Sequence, residues 1–329
     1  MNILVTGGAG FIGGHLAERL IADGHGVTVL DSLDPFYDVG IKTRAIEAAR
    51  LAADEPAAGS YRFVEGDVRD ESLVQSSMTD VDIVYHQAGR AGVRSSVDDP
   101  RIYDEVNVGG TLNILDAARE AAVERVVIAS SSSVYGVPEY LPYDELHPTT
   151  PISPYGASKL AAERYGCAYD RVYDLSVVAL RYFTVYGPRM RPNMAISNFV
   201  SRCANGRNPV IYGDGTQTRD FTYISDVVEA NLGLLDSDAL DGQAVNIGST
   251  DTISIRELAD IVREAIDPTL SLSFDDRHHA DAEHTHADVS RARQQLDYDP
   301  SYTIEEGLSA FIDWYQRHDD WYEPLVLSS

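Results

Sequence analysis

The chain opens on a short apolar run, Asn2–Thr6, that breaks into glycine and restarts as an apolar helix: Thr6-Gly7-Gly8-Ala9-Gly10-Phe11-Ile12-Gly13. Few folds accommodate that beginning. Glycine at Gly7, Gly10 and Gly13 allows a tight turn and lets the backbone approach a ligand closely. The helix that follows turns its unpaired N–H groups toward whatever sits on the loop, which favours an anion such as a pyrophosphate. A strand feeding a helix in this way belongs to a βαβ unit of a parallel sheet.

The remaining first half keeps that rhythm. Apolar runs at Ile3–Val5, Val27–Leu30, Tyr61–Val64, Ile83–Tyr85, Val126–Ala129 and Ser176–Leu180 read as buried parallel strands. Helical patterns lie between them at Phe11–Ala22, Glu71–Met78, Ile102–Ala121 and Tyr155–Tyr173, with a partly helical insertion over Asp34–Ser60. The expected fold class is α/β: a doubly wound, Rossmann-type parallel sheet with a smaller C-terminal substrate lobe. The rhythm changes near Tyr186, so a dinucleotide-binding part is expected over 1–185, with return segments about 221–250, and a mainly substrate-binding lobe over 186–329. Ligands of such folds bind at the carboxyl ends of the strands.

Charge excludes some partners. The formal net charge is −26, and 24 of the 26 basic residues are arginine, leaving only Lys42 and Lys159 as lysines. A dispersed acidic surface suits high salt, where counter-ions screen self-repulsion, so a halophilic protein is expected. Nucleic acid is disfavoured as a partner, because its phosphates would meet a negative surface. Two cysteines, Cys167 and Cys203, form neither a disulfide framework nor a metal motif, and no metal is expected. His278, His279, His284 and His286 read as a hydrophilic loop. Met1 leads straight into a strand, and no apolar run reaches the roughly 20 residues of a membrane span. No membrane is expected as a partner, and a cytoplasmic location is.

Two groups of residues carry chemistry. Asp31 ends the second strand, where a carboxylate accepts hydrogen bonds from ribose hydroxyls and repels a 2′-phosphate, so NAD is expected as the cofactor. Asp67-Val68, after the third strand, stands either at an adenine contact or in a solvated turn. Further on, Ser153-Pro154-Tyr155-Gly156-Ala157-Ser158-Lys159 starts a helix and sets Tyr155 and Lys159 on one face. A tyrosine acts as a base near neutrality only if its pKa falls several units from about 10, which a nearby cation and a positive nicotinamide ring favour. Ser130–Ser133, at the end of a predicted strand, offer a hydroxyl to the reacting oxygen.

These residues together resemble the extended short-chain dehydrogenase/reductases and, within them, the sugar-nucleotide 4-epimerases. The resemblance spans essentially the whole chain and rests on GGAGFIG, GDVRD, SSSSVYG, SPYGASK, LRYFTVYGPR and GDGTQTRDFTYISDV. It implies Tyr155 as the base, Lys159 as its support and Ser131 at the sugar O4, with NAD held tightly and recycled through a transient 4-keto sugar. It implies a cofactor site from Gly7, Gly10, Phe11, Ile12, Gly13, Asp31, Asp67, Val68, Ala88, Tyr155 and Lys159, and a homodimer through helices such as Ile102–Ala121 and Tyr155–Tyr173. Ser132 and Ser133 stand where related dehydratases and decarboxylases carry acids, and serine cannot do carboxylate acid–base work, so simple epimerisation is expected.

At the substrate end the resemblance implies Ser131, Ser132, Thr184, Arg191, Arg219 and Arg277. Arg219 matches an arginine that binds the diphosphate. Thr184 stands where the galactose-type enzymes often have Asn. Arg191-Pro192-Asn193-Met194-Ala195 is similar to a segment of UDP-glucuronate 4-epimerases whose arginine faces the sugar carboxylate, and archaeal-type UDP-glucose epimerases look similar there. Thr285 aligns loosely with a position beside the sugar 2-substituent. The expected substrate is a UDP-hexose, glucose or galactose, with UDP-glucuronate and UDP-N-acetylglucosamine as alternatives. A non-catalytic NAD-binding sensor is the alternative from another class, since a sensor needs only the glycine loop.

Overall fold

The computed structural model describes residues 1–249, 251–276 and 282–327. Its first six strands are β1 (Asn2–Thr6), β2 (Gly26–Asp31), β3 (Tyr61–Glu65), β4 (Ile83–His86), β5 (Arg125–Ser131) and β6 (Ser176–Tyr182). Four short strands follow: β7 (Thr184–Tyr186), β8 (Val210–Tyr212), β9 (Thr218–Arg219) and β10 (Phe221–Tyr223). The chain then returns as β11 (Ala244–Ile247) to the open edge of β6. The central sheet has seven parallel strands in the order β11-β6-β5-β4-β1-β2-β3. Strand order reverses between β1 and β4, which is where a doubly wound sheet opens a crevice.

Helices cover both faces because the strands are apolar on both. Ile3 and Val5 of β1 pack into one core and Leu4 into the other. On β5, Val127 and Ala129 face the first core, and Val126 and Ile128 the second. This is the period-2 alternation of a fully buried strand. The helices flanking the crevice are α1 (Phe11–Ala22), α2 (Val39–Ala53), α3 (Glu71–Ser77), α4 (Val93–Asp98), α5 (Pro100–Tyr103), α6 (Gly110–Glu120) and α7 (Pro154–Tyr173). The expected strands and helices are all present, most of them a residue or two longer at an end. The exception is the helix expected over Ile102–Ala121: a π-helical turn, Asp104–Gly109, joins α5 to α6 and breaks the 3.6-residue period. Among the described residues, no helix is long and apolar enough to cross a membrane.

Helix α7 starts where its residues dictate. Ser153 caps it by accepting from the Gly156 amide (3.1 Å), and Pro154 occupies the first turn, where a missing N–H costs nothing. One turn beyond Lys159, Glu163 plunges into the sheet. Its carboxylate takes two hydrogen bonds from Arg181 of β6 (2.6 and 2.9 Å) and one from Ser130 of β5 (2.9 Å). The pair is sealed from water, with side-chain exposures of 0% for Glu163 and 2% for Arg181. The remaining Arg181 donor reaches the Tyr135 hydroxyl (2.8 Å), which donates to Asn246 of β11 (2.6 Å). A single polar network therefore pins α7 across three strands. Removing one partner leaves a buried charge uncompensated, so Glu163→Ala is expected to lower unfolding free energy by about 3–5 kcal/mol. The double change Glu163→Met with Arg181→Met should recover most of that loss in chemical denaturation.

Candidate active site

The carboxyl ends of β1, β2, β4 and β5 open into a cleft of about 380 Å³. Its floor is the glycine loop. Gly7 has φ +68°, and a Cβ there would lie 2.6 Å from the Ala88 amide nitrogen. A Cβ on Gly13 would lie 2.4 Å from the Gly7 carbonyl oxygen. Any side chain at either position would fill the cradle or force it apart. Gly10 caps α1 without a side-chain hydrogen bond, so the first amides of the helix stay open to an anion. Gly10, Phe11, Ile12, Ala88 and Val68 also line the cleft, as the sequence led us to expect.

Asp31 is buried at the end of β2. Its carboxylate accepts from the amides of Ala9 (3.1 Å) and Leu33 (2.9 Å). The Lys42 ammonium stands 3.6 Å away, also buried, over the Tyr37 ring. Sequence reasoning passed over Lys42, although its being one of two lysines in the chain was a signal. The two lysines share the cleft: Lys42 at one end and Lys159 at the other. Asp67 lines the wall, but its carboxylate is held by the Arg69 side chain (2.8 and 3.1 Å) and amide (2.9 Å). The Arg69 hydrogen bonds hold it below the usual carboxylate range. Arg69 thus ties Asp67 into its turn at the cleft wall.

Ser131, Tyr155 and Lys159 converge on the opposite end. The Ser131 hydroxyl accepts from the Ser133 amide (3.1 Å) and stands beside the Tyr155 phenol in the same cleft. Lys159 Nζ donates to the Ala129 carbonyl (2.8 Å), and burial lowers its ammonium to about 8. The Tyr155 phenol is raised above its ordinary value by burial, against the pull of Ser131 and of the Arg191 guanidinium. This differs from the expectation that Lys159 depresses it. Arg191 is the cation whose pull on the phenol opposes burial here, while the Lys159 ammonium, with one of its three donors on Ala129, lines the same cleft.

Thr184, Ser132 and Arg191 line the same cleft. Arg191 is half-buried beside Tyr155, and its one hydrogen bond among the described residues is long, to Asn193 (3.4 Å). No carboxylate pairs with it among the described residues. Arg219 is not among the cleft-lining residues. Its fork clamps the carbonyls of Thr218 (2.8 Å), Ala282 (2.6 Å) and Glu283 (3.0 Å). Thr285 is buried, with its hydroxyl on the Asp220 amide (3.4 Å), and does not line the cleft. Arg277, His278 and His279 lie outside the described residues. His284 is engaged with the Thr218 hydroxyl (2.9 Å).

Two further residues were invisible to sequence reasoning. Asn107 sits in the π-turn, fully buried, and ties the loop after β4 to Ser158 of α7 (2.9 Å). Arg90, in that loop, lines the cleft as a cation. Neither belongs to a spaced motif, and their roles come from tertiary contacts.

Comparison with known proteins gives a consistent picture. Residues 3–248 match the profile of the NAD dependent epimerase/dehydratase family. The chain is 35% identical to the UDP-glucuronate 4-epimerase of Thermodesulfobacterium geofontis, covering 94% of this chain and 95% of that one. The structure of UDP-glucuronic acid 4-epimerase from Bacillus cereus, in complex with UDP-glucuronic acid and NAD, superposes with a TM-score of 0.89 at 32% identity, over 96% of this chain and 99% of that one. The UDP-glucose 4-epimerase of Thermotoga maritima, with UDP-glucose, gives 0.85 at 30% identity over 96% and 99%.

One histidine gives the cleft a pH signature. His86, at the end of β4, lies between the hydroxyls of Thr6 (2.7 Å) and Thr111 (3.0 Å), and burial lowers its pKa to about 3. The unfolded imidazole titrates near 6.5. Native protein therefore binds fewer protons than unfolded protein between those values. The contribution is fully present above pH 6.5 and is lost as pH falls toward 3. Stability measured by denaturation at pH 7 and pH 4.5 should fall less steeply in His86→Asn than in the parent.

Proposed function

Because the chain belongs to the NAD dependent epimerase/dehydratase family, we propose that its cleft carries out 4-epimerisation of a UDP-linked uronic acid, interconverting UDP-glucuronate and UDP-galacturonate. That it is an NAD-dependent sugar-nucleotide epimerase is common ground with its relatives. The uronate is the specific reading, and Arg191 carries it. A half-buried guanidinium beside the catalytic phenol, with no carboxylate paired to it among the described residues, calls for an anion on the substrate. A sugar carboxylate on C6 supplies one within reach of C4.

The cradle fits the cofactor. Gly7 and Gly13 leave room for a pyrophosphate on the open amides of α1, and Asp31 offers remaining lone pairs to a ribose. When bound, NAD would supply the hydride acceptor for oxidation at C4 and, reduced, the hydride donor that restores the alcohol. The chain's own groups handle the proton. Tyr155 takes it from the 4-hydroxyl and gives it back when the alcohol re-forms. Ser131, on the same cleft wall and favouring the ionised phenol, stands beside that transfer. Lys159, anchored on Ala129, holds the nicotinamide side of the site and keeps positive charge near the phenol. Ser132 and Ser133 set hydroxyls rather than carboxylates on the wall beside Ser131, which favours epimerisation over elimination.

A second reading, UDP-glucose/UDP-galactose interconversion, draws support from the match to the T. maritima enzyme. It leaves Arg191 without an anionic partner. Nothing in the geometry favours an N-acetyl group, since Thr285 stands outside the cleft. We further read 1–185 with 221–250 as the cofactor-holding part and 186–329 as mainly the substrate side, which supplies Arg191. Tyr165 and Val172, exposed on the outer face of α7, suit a homodimer contact there. The acidic surface suits activity at high salt.

Two outcomes follow for NMR-followed turnover in high salt. Tyr155→Phe should lose about 10²–10⁴ in kcat with the fold intact. Arg191→Gln should raise KM for UDP-glucuronate by about tenfold or more while leaving KM for UDP-glucose little changed, and loss of the cation beside Tyr155 should lower kcat for both. Faster parent turnover of UDP-glucose than of UDP-glucuronate would favour the second reading.

A further inference from the structure

The two walls that rise beside the glycine loop touch each other. In the sheet β1 lies between β4 and β2, so the loop after β4 and the loop after β2 flank the glycine loop on either side. Arg90, from the first loop, pairs with Asp34 of the second through Nη1. It also lays its guanidinium 4.5 Å from the centre of the Phe36 ring. Arg191 approaches the same ring at 5.9 Å. Arg90 Nε is buried and meets no acceptor among the described residues. The backbone of Arg90 is fixed from both sides by one side chain. Its amide donates to Asn107 Oδ1 (2.7 Å), and Asn107 Nδ2 donates to its carbonyl (3.0 Å). Asn107 also reaches Ser158, the residue before Lys159. The arm therefore stands on the helix that carries Tyr155 and Lys159.

We propose that Arg90 is a cofactor-retaining residue: with Asp34 and Phe36 it straps the cleft shut across the glycine loop and slows escape of the bound dinucleotide. The unpaired Nε is available to an anionic oxygen of the pyrophosphate on that loop. The inference rests on NAD being the ligand of this cleft. Retention has a chemical purpose in an epimerase, because cofactor lost between the two hydride transfers would leave an oxidised sugar behind. The strap is a charge-assisted bond backed by an aromatic face. It is also partly exposed, 25% for Arg90 and 40% for Asp34, so salt screens it.

The test is the rate at which NAD leaves the purified holoenzyme, followed by rapid filtration and quantitation of released nucleotide. Wild type is compared with Arg90→Gln, Arg90→Lys and Asp34→Asn at low and molar salt. Arg90→Gln should release NAD about tenfold faster and purify with less than one NAD per chain. Arg90→Lys, which keeps the charge and loses the fork, should fall between. Salt should speed release from wild type more than from Arg90→Gln. Thermal midpoints confirm folding, and if Arg90→Gln does not fold, Arg90→Lys and Asp34→Asn decide. Equal release rates in folded variants and wild type at both salts would overturn the strap. A wild type that holds no NAD would overturn the cofactor reading itself, and the strap with it.

Discussion

The ion pair of Glu163 and Arg181, sealed beneath α7, is the constraint on which the site depends. Tyr155 and Lys159 ride on α7, and Ser131 ends β5. Their alignment is set by how that helix sits on those strands. The Glu163 carboxylate binds Arg181 on β6 and Ser130 on β5 at once, so helix and strand cannot slide past each other without breaking charge-assisted bonds in a dry interior. Such a pair adds little net stability over a packed apolar pair. What it adds here is register: a half-ångström slip at Glu163 is the same slip at Lys159, one turn away.

Much of this was legible in the sequence because it is local. The glycine loop, the cap Ser153-Pro154 and the four-residue spacing of Tyr155 and Lys159 are consequences of backbone geometry, and each lies where expected. The strand alternation followed from the same kind of reasoning. The π-turn at Asp104–Gly109 did not, since a one-residue bulge shifts helical phase without changing composition. Long-range pairings were equally silent. Lys42 looks like any helix lysine until the fold carries it to Asp31, and Glu163 looks like a solvated helix glutamate until Arg181 meets it.

The substrate end shows a different limit. Arg191 was marked by the similarity of its segment to two kinds of epimerase, which left the sugar open. Its geometry adds what a motif cannot: a guanidinium beside Tyr155 with no carboxylate paired to it among the described residues. Arg219 shows the converse, a motif residue whose fork is engaged by backbone carbonyls. The protonation logic was also refined. Burial raises the phenol against the pull of Ser131 and Arg191, and Lys159 is anchored on the Ala129 carbonyl in the same cleft.

The central claim is that hydride leaves C4 and comes back within one closed cleft. It is tested most directly with UDP-glucuronate deuterated at C4, turned over in ordinary water. The account predicts that the 4-epimer forms with deuterium retained at C4 and no free reduced cofactor in solution. Washout of the deuterium into solvent would contradict it, because the C4 hydrogen would then have left as an exchangeable proton.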